Sequence, residues 1–314
     1  VKACVTAEFT PDGVLRLESL GYEVVRAGWG TTRQSLDRDA YLLAAAGSAL
    51  LVTEIEEVDV AVLDALPELH LVATARGGPV NVDLAGCAAR GIPVVFTPAR
   101  NADSVADFVL GVMLSLCRGI GVAERHLRDE GWHVGSELPY LHFRGPELAG
   151  RMLGLVGYGA IGQRVAQRAR DGFGMRVQFH DPYAEGGVSV DELLETSDVV
   201  SLHCPRVPAT RGLVDAAALA RMRPAAYLVN TAGGGIVDED ALVEALHAGR
   251  LAGAALDVFA TEPLPRDSPL LTAPRLLLTP HLAGAALDVV RHHTELICAD
   301  VERWHRGEPL HHSA

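Results

Sequence analysis

MLGLVGYGAIGQRVAQRAR, residues 152–170, decides the fold. Met152 to Val156 is an apolar run that reads as a buried strand, and a helical stretch continues from Ala160 to Asp171. Between them Gly157, Gly159 and Gly162 stand in GxGxxG spacing. In a strand–turn–helix context the first glycine permits the tight turn, the second lets backbone approach a pyrophosphate, and the third lets helix and strand pack closely. The helix start, with Ala160 and Ile161, offers unpaired N–H groups and the positive end of the helix dipole to a diphosphate. In a chain with 32 glycines the spacing alone would equally suit a tight βα turn without a ligand. Asp181 adds context: it follows Gly162 by 19 residues and ends the next strand, in VQFHDPY. An acid there can accept both ribose hydroxyls of an adenosine and repels a 2′-phosphate, and no arginine follows to welcome one. The expected cofactor is NAD.

Outward from this loop the pattern repeats. Strands are expected at Met152–Val156, Arg176–His180, Val199–His203, Tyr227–Asn230, Gly253–Asp257 and Leu276–Leu278, with helices between, the strand count of a doubly wound dinucleotide fold. Upstream, short β-branched runs at Ala3–Thr6, Tyr22–Val25, Ala49–Thr53, His70–Ala75 and Pro93–Thr97 alternate with helical stretches, which implies a second parallel sheet covered on both faces. Val105, Phe108, Val109, Val112, Met113 and Leu116 form one apolar face of a long helix, expected from an N-cap at Asp103 to about Glu130. Gly131–Gly150, rich in Gly, Pro and aromatics, reads as an extended arm on a second subunit. There Trp132, Tyr140, His142 and Arg144 either pack the arm or reach a site. The last helix, Ala286–Arg306, falls outside the six-strand count and is expected to return to the first domain. The fold class is therefore α/β: a Rossmann dinucleotide-binding domain (101–284) inserted in a flavodoxin-like α/β substrate domain (1–100 and 285–314), with hinges near Pro98–Asn101 and Ala283–Ala286.

Composition narrows the chemistry. The 314 residues are 49% apolar and 21% charged, enough for about two domains. Twenty-seven cations against 40 acids give a net charge of −13, which disfavours nucleic acid or an anionic membrane as partner. Lys2 is the only lysine, which excludes a P-loop and disfavours Schiff-base or Tyr–Lys chemistry. Five cysteines at 4, 87, 117, 204 and 298 form no CxxC motif and suit a reducing cytoplasm. VKACVTAEFT lacks a charged leader before a long apolar run, so secretion is not expected. No HExxH or acidic–histidine cluster suggests a metal.

Hydride transfer between NAD and an alcohol carbon needs a proton acceptor, a group that tunes it, and donors for any substrate anion. His281, between Pro280 and a small-residue turn in LTPHLAG, is placed to face a cleft, and a nearby carboxylate would stabilise its imidazolium; Asp257 and Glu262 lie in ALDVFATEP. Among 13 histidines, a capping or surface role is an open alternative.

From residue 50 to 310 the chain resembles the D-isomer-specific 2-hydroxyacid dehydrogenases, the family of phosphoglycerate, glycerate and formate dehydrogenases. The blocks that carry the resemblance are ARGGPVNVD (75–83), ARGIPVVFTPARNADSVADF (89–108), GRMLGLVGYGAIGQRVA (150–166), HCP (203–205), NTAGGGIVDEDAL (230–242), ALDVFATEPLP (255–265) and LTPHLAG (278–284). The resemblance implies that His281 is the general acid–base, that Glu262 pairs with it, and that Asp257 holds the nicotinamide amide. It implies NAD contacts from His203, Cys204, Pro205, Thr231 and Ala232. Arg76, Gly77 and Gly78 would meet the substrate carboxylate through backbone N–H groups. Ser104 is a cofactor contact or a helix-capping residue. A homodimer is implied, acting on a small 2-hydroxy or 2-keto acid.

One position departs from the family: Gly233 stands where the NTAxGG block carries the arginine that binds the substrate carboxylate and keto oxygen. Three readings are open. The substrate differs and another cation, such as Arg76, takes the role; or the chain binds NAD with little activity, as a sensor or interaction protein; or the glycine is an introduced or accidental substitution.

Overall fold

The period-two alternation of strand side chains sorts the first sheet onto two cores. Ala3, Val5, Leu50, Val52, Leu71 and Ala73 face one cluster, whereas Cys4, Leu51, Val72 and Val94 face the other. The strands are β1 Lys2–Val5, β2 Glu23–Arg26, β3 Ser48–Thr53, β4 Leu71–Thr74 and β5 Val94–Val95. All pair in parallel in the order β2-β1-β3-β4-β5, the flavodoxin-like arrangement. The first face is covered by helices Pro11–Ser19 and Leu287–His305, through Leu17, Ile297 and Val301. The other is covered by Arg38–Ala45 and Val60–Ala65, through Tyr41, Ala45, Val62 and Leu63. Fully buried leucines such as Leu50 and Leu51 each contribute about 1.5–3 kcal/mol. Helix starts are fixed by short polar side chains. Thr10, Asp37, Asp59 and Asp83 accept the N–H groups of Gly13, Ala40, Val62 and Gly86 at 3.1, 2.8, 3.0 and 3.0 Å.

The computed structural model describes every residue from Val1 to Ala314. It divides into one unit of Val1–Asn101 with Ala286–Ala314, which holds the sheet just described, and a second of Ala102–Ala285. The second unit carries six parallel strands: β6 Met152–Val156, β7 Arg176–His180, β8 Val199–Leu202, β9 Tyr227–Asn230, β10 Gly253–Leu256 and β11 Leu276–Leu278. Their order is β11-β10-β9-β8-β6-β7. From β6 the chain goes outward to β7 and then crosses back to β8, so the order reverses beside β6. Ligands of open parallel sheets bind outside the strand carboxyl ends at such a reversal. Helices Ala102–Arg118 and Ala160–Phe173 cover one face over Leu153, Leu155, Val199 and Val229. Helices Val190–Thr196, Ala216–Arg221 and Glu239–His247 cover the other over Val200, Leu202, Leu228 and Leu256.

Three expectations are corrected. The helix expected from Asp103 to Glu130 is two helices, Ala102–Arg118 and Ile120–Asp129, meeting at a 60° bend. Gly119 sits between them with φ 62°, a left-handed conformation that stops a helix. Asp103 is not the cap but lies in the first turn, bound to Arg164 and Arg168 at 3.0 and 2.9 Å. Strand β5 keeps only two of the five residues expected. Beyond it the Phe96 N–H donates to His312 O, and Ala314 N–H returns to Val94 O, so the C-terminal segment covers this edge. The segment after Gly131 is not wholly extended, since Pro139–His142 forms a helical turn. No single helix is long and apolar enough to cross a membrane, and all five cysteines are buried free thiols.

Candidate active site

The glycine loop leaves β6 with Gly157 at φ 98°, and its N–H donates to His180 O at 2.8 Å. A Cβ on Gly157 would lie 2.6 Å from Cys204 N, and one on Gly162 would lie 2.4 Å from Gly157 O. Both glycines are therefore required by close packing of backbone. Gly159 differs: a Cβ there would meet nothing within 4 Å. It precedes helix Ala160–Phe173, whose start has no side-chain cap, so the amides of that first turn face space that a ligand can fill. At the end of β7, Asp181 accepts Tyr158 N–H at 2.7 Å on one oxygen and Tyr183 N–H at 2.9 Å on the other. Two amide donors hold the carboxylate in a fixed orientation and leave further lone pairs. After β8, His203 Nε2 lies 2.9 Å from Ser201 Oγ. Burial pushes its imidazole down to about 4, so it is neutral at physiological pH. Desolvation raises the Cys204 thiol and keeps it protonated; Pro205 beside it is exposed. After β9, the Asn230 side chain accepts the Ala232 N–H at 3.0 Å and donates to Gly233 O at 3.0 Å, fixing the loop. Thr231 Oγ1 next to it is buried with no partner.

A hydrogen-bonded histidine–carboxylate pair follows β10 and β11. His281 Nδ1 lies 2.8 Å from Glu262 Oε2, and Glu262 Oε1 accepts the Phe259 N–H at 2.9 Å. Burial alone would raise the Glu262 carboxyl. The His281 hydrogen bond, the Phe259 amide and the charges of His281 and Arg206 together hold it below its ordinary value. A carboxylate only accepts, so Nδ1 carries the proton of this bond and Nε2 is the nitrogen free to exchange one. The turn that carries His281 is built on Asp257. That carboxylate, 2% exposed, accepts Thr279 Oγ1–H and Leu282 N–H on one oxygen, both at 2.7 Å, and Ala283 N–H at 2.8 Å on the other. His281 itself has φ 55°, an unusual left-handed backbone for a side chain with a Cβ. His281 and Glu262 line a cavity of about 470 Å³ with Gly233, Gly234 and Arg206. A larger cavity of about 900 Å³ lies at the opposite ends of the strands, beside Tyr227, Gly253 and Leu276, away from these groups.

The sequence profile described as D-isomer specific 2-hydroxyacid dehydrogenase, NAD binding domain, matches residues 110–283, more than half of the chain. The chain belongs to this family. A glyoxylate reductase of Thermofilum pendens is 37% identical over 270 residues, covering 83% of this chain and 79% of the relative. A D-3-phosphoglycerate dehydrogenase of Mycobacterium tuberculosis is 42% identical over 262 residues, 80% of this chain but only 48% of that longer protein. Among solved structures, the TT0316 protein of Thermus thermophilus superposes with a TM-score of 0.83 at 34% identity, covering all of both chains. This 2-hydroxyacid dehydrogenase is accordingly an oxidoreductase that uses NAD and acts on 2-hydroxy or 2-keto acids.

The residues present fit the dinucleotide. Gly159 opens a cradle that a Cβ would fill, an uncapped helix start lies behind it, and the Thr231 hydroxyl is a buried donor with no acceptor. Gly157, Gly159, Ala160, Ile161, Gly162, Asp181, His203, Cys204, Pro205, Thr231 and Ala232 all stand at carboxyl ends of β6 to β9. Ser104 lies in the first turn of helix Ala102–Arg118, half-buried. Arg76, Gly77 and Gly78 belong to the first unit, just past β4. There Arg76 O accepts from Thr97 N–H and Oγ1–H, its Nη1 donates to Glu54 O at 3.1 Å, and both glycines face open space. The Arg76 side chain is thus engaged within its own unit. Arg206 was not singled out from sequence. The signal available was a cation directly after the HCP turn, but an arginine following a proline in an exposed loop has no periodicity to distinguish it.

Proposed function

We propose that His281 is the general acid–base of this dehydrogenase and that Glu262 orients and charge-compensates it. NADH, when bound, supplies the hydride that reduces the keto carbon. His281 Nε2 gives its proton to the keto oxygen in reduction and takes the hydroxyl proton in oxidation, while Nδ1–H stays on Glu262. The charge formed on the ring lies 2.8 Å from a carboxylate that neighbouring donors keep ionised. Asp257 positions this ring by holding the turn 279–283, and its less-used oxygen is the acceptor for a nicotinamide amide. Asp181 binds the adenosine ribose and selects NAD, and the first turn from Ala160 with Gly157–Gly162 holds the diphosphate. His203–Pro205, Thr231, Ala232 and Ser104 complete the NAD site. The first unit is the substrate domain, with the open amides at Arg76–Gly78 meeting the carboxylate, and Ala102–Ala285 is the NAD domain.

The observation that carries this reading is the His281–Glu262 pair in one cavity, in the unit that also holds the glycine loop. A sensor without turnover has no use for such a pair. The test is NADH consumption across a panel of 2-keto acids, with His281→Gln alongside. Turnover by the parent and a loss of about 100- to 10,000-fold in the variant are expected, with NADH binding retained. A variant as active as the parent would refute the assignment.

The protein works as a homodimer. Helix Ile120–Asp129 buries none of its own side chains, and Ile120, Val122, Trp132, Leu138 and Tyr140 are largely exposed on the segment that follows the bend. Buried free thiols suit the cytoplasm, and the net charge of −13 suits neither nucleic acid nor an anionic membrane as partner.

A further inference from the structure

The space beside Gly233 is not empty. A Cβ built on Gly233 would lie 3.0 Å from Arg206 Cβ and 3.7 Å from Arg206 Cδ. The aliphatic stem of Arg206 thus runs over the place where a side chain at 233 would begin, and its guanidinium starts one bond beyond Cδ. Arg206 lines the same cavity as His281 and Glu262, and its charge helps keep the Glu262 carboxyl ionised. Several arginines of this unit are engaged by acids: Arg164 and Arg168 bind Asp103, Arg221 binds Asp191, and Arg223 binds Asp198. Of those that are not, Arg206 alone lines the cavity of His281 and Glu262. Arg206 makes no ion pair with any acid of the chain, and its residue is exposed. A cation without a counterion, at the wall of a cavity that holds an acid–base pair, is a site for a substrate anion.

We propose that Arg206 binds the carboxylate–carbonyl end of the 2-keto acid, filling from the HCP loop the role that Gly233 leaves open. This rests on the acid–base reading of His281. Gly233 then has a reason to lack a side chain, since even a methyl group there would press on the Arg206 stem. Two guanidinium groups from 206 and 233 would also repel each other in a cavity of this size. A fork of N–H donors suits a planar carboxylate better than an ammonium does, so lysine should replace Arg206 only in part.

The test uses the intact protein with NADH bound and oxamate, a 2-keto acid analogue that cannot be reduced, as probe. Oxamate affinity is read by titration calorimetry in the parent, Arg206→Gln and Arg206→Lys, with NADH affinity and the melting midpoint as controls. Arg206→Gln should weaken oxamate by about 10- to 100-fold, Arg206→Lys by less, and NADH should bind all three alike. Equal oxamate affinity in parent and Arg206→Gln, or no oxamate binding to the parent complex, overturns the proposal. Arg211→Gln, in the adjoining cavity that Arg206 also lines, should leave oxamate affinity unchanged; a loss as large as that of Arg206→Gln would overturn a specific role for Arg206. The acid–base reading fails separately, if the parent turns over 2-keto acids and His281→Gln does so equally well.

Discussion

Replacing Glu262 by glutamine removes one charge while keeping the size of the side chain. Glutamate has two oxygens in use, one for His281 Nδ1–H and one for Phe259 N–H. Glutamine has one, so either the ring or the amide is left facing an NH₂ group. On the proposed mechanism, the imidazolium formed during oxidation of the hydroxy acid would lie 2.8 Å from the carboxylate. At that separation the attraction is about 6 kcal/mol at an effective dielectric of 20 and about 1.5 kcal/mol in bulk water. The side chains are 64% and 36% exposed, which places the interaction near the lower limit, at about 2 kcal/mol. Glu262→Gln should therefore lower kcat/KM about 30-fold. The fall should be the same for reduction and oxidation at one pH, because the variant cannot change the overall equilibrium. Both directions are followed through NADH absorbance, with NADH affinity as the control. A variant within about threefold of the parent in both directions, with cofactor binding intact, would refute the role of the charge.

Asp181→Ser removes the carboxylate that would repel a 2′-phosphate, and the ratio of NAD to NADP efficiency should fall by about tenfold or more, measured as kcat/KM with each cofactor. Gly159→Ala should fold as the parent does, since the methyl group meets nothing, yet weaken NADH binding in fluorescence titration. Gly162→Val must push the helix off Gly157 O and should cost about 1–3 kcal/mol in urea unfolding. His293 gives a pH dependence in the first unit. Its Nε2 donates to Glu8 O at 2.6 Å and its Nδ1 lies 2.9 Å from Arg100 Nη1, which donates to it, so only the neutral ring fits. The Glu8 carboxylate, Glu54, paired with Arg100 at 3.0 Å, and His292 on Arg100 O are the other titratable groups around it. Burial pushes the His293 imidazole down to about 4, against about 6.5 in an unfolded chain. Its stabilisation is complete above the unfolded value and is lost as pH falls through the folded one, a change of about 3 kcal/mol. Unfolding free energy measured across that window should slope downward with acid, and His293→Asn should flatten the slope.

The nucleotide loop was legible because three physical demands fall on three glycines at fixed spacing, between a strand and a helix that are each recognisable alone. The His281–Glu262 pair was legible only through the block order of the family, because nothing local to PHLAG shows a carboxylate 19 residues upstream arriving at 2.8 Å. The bend at Gly119 was hidden because apolar residues continue through it. Ile120 and Val122 look like the next turn of the same stripe but are 55% and 62% exposed. Asp103 looked like a cap because caps and ion-pairing acids share a residue type, and its partners lie 61 and 65 positions away. The meeting of Arg206 with Gly233 had no sequence signal, since it depends on two loops from neighbouring strands.

His281 occupies a backbone conformation in which a Cβ crowds its own carbonyl, at a cost of roughly 1–2 kcal/mol to the chain. Glycine would relax there without effort. A protein with that exchange should melt at a higher temperature while losing activity as His281→Gln does, so the loss could not be blamed on poor folding. On the acid–base reading, the imidazole is kept where conformational ease argues against it because the proton it carries has no other bearer at this turn.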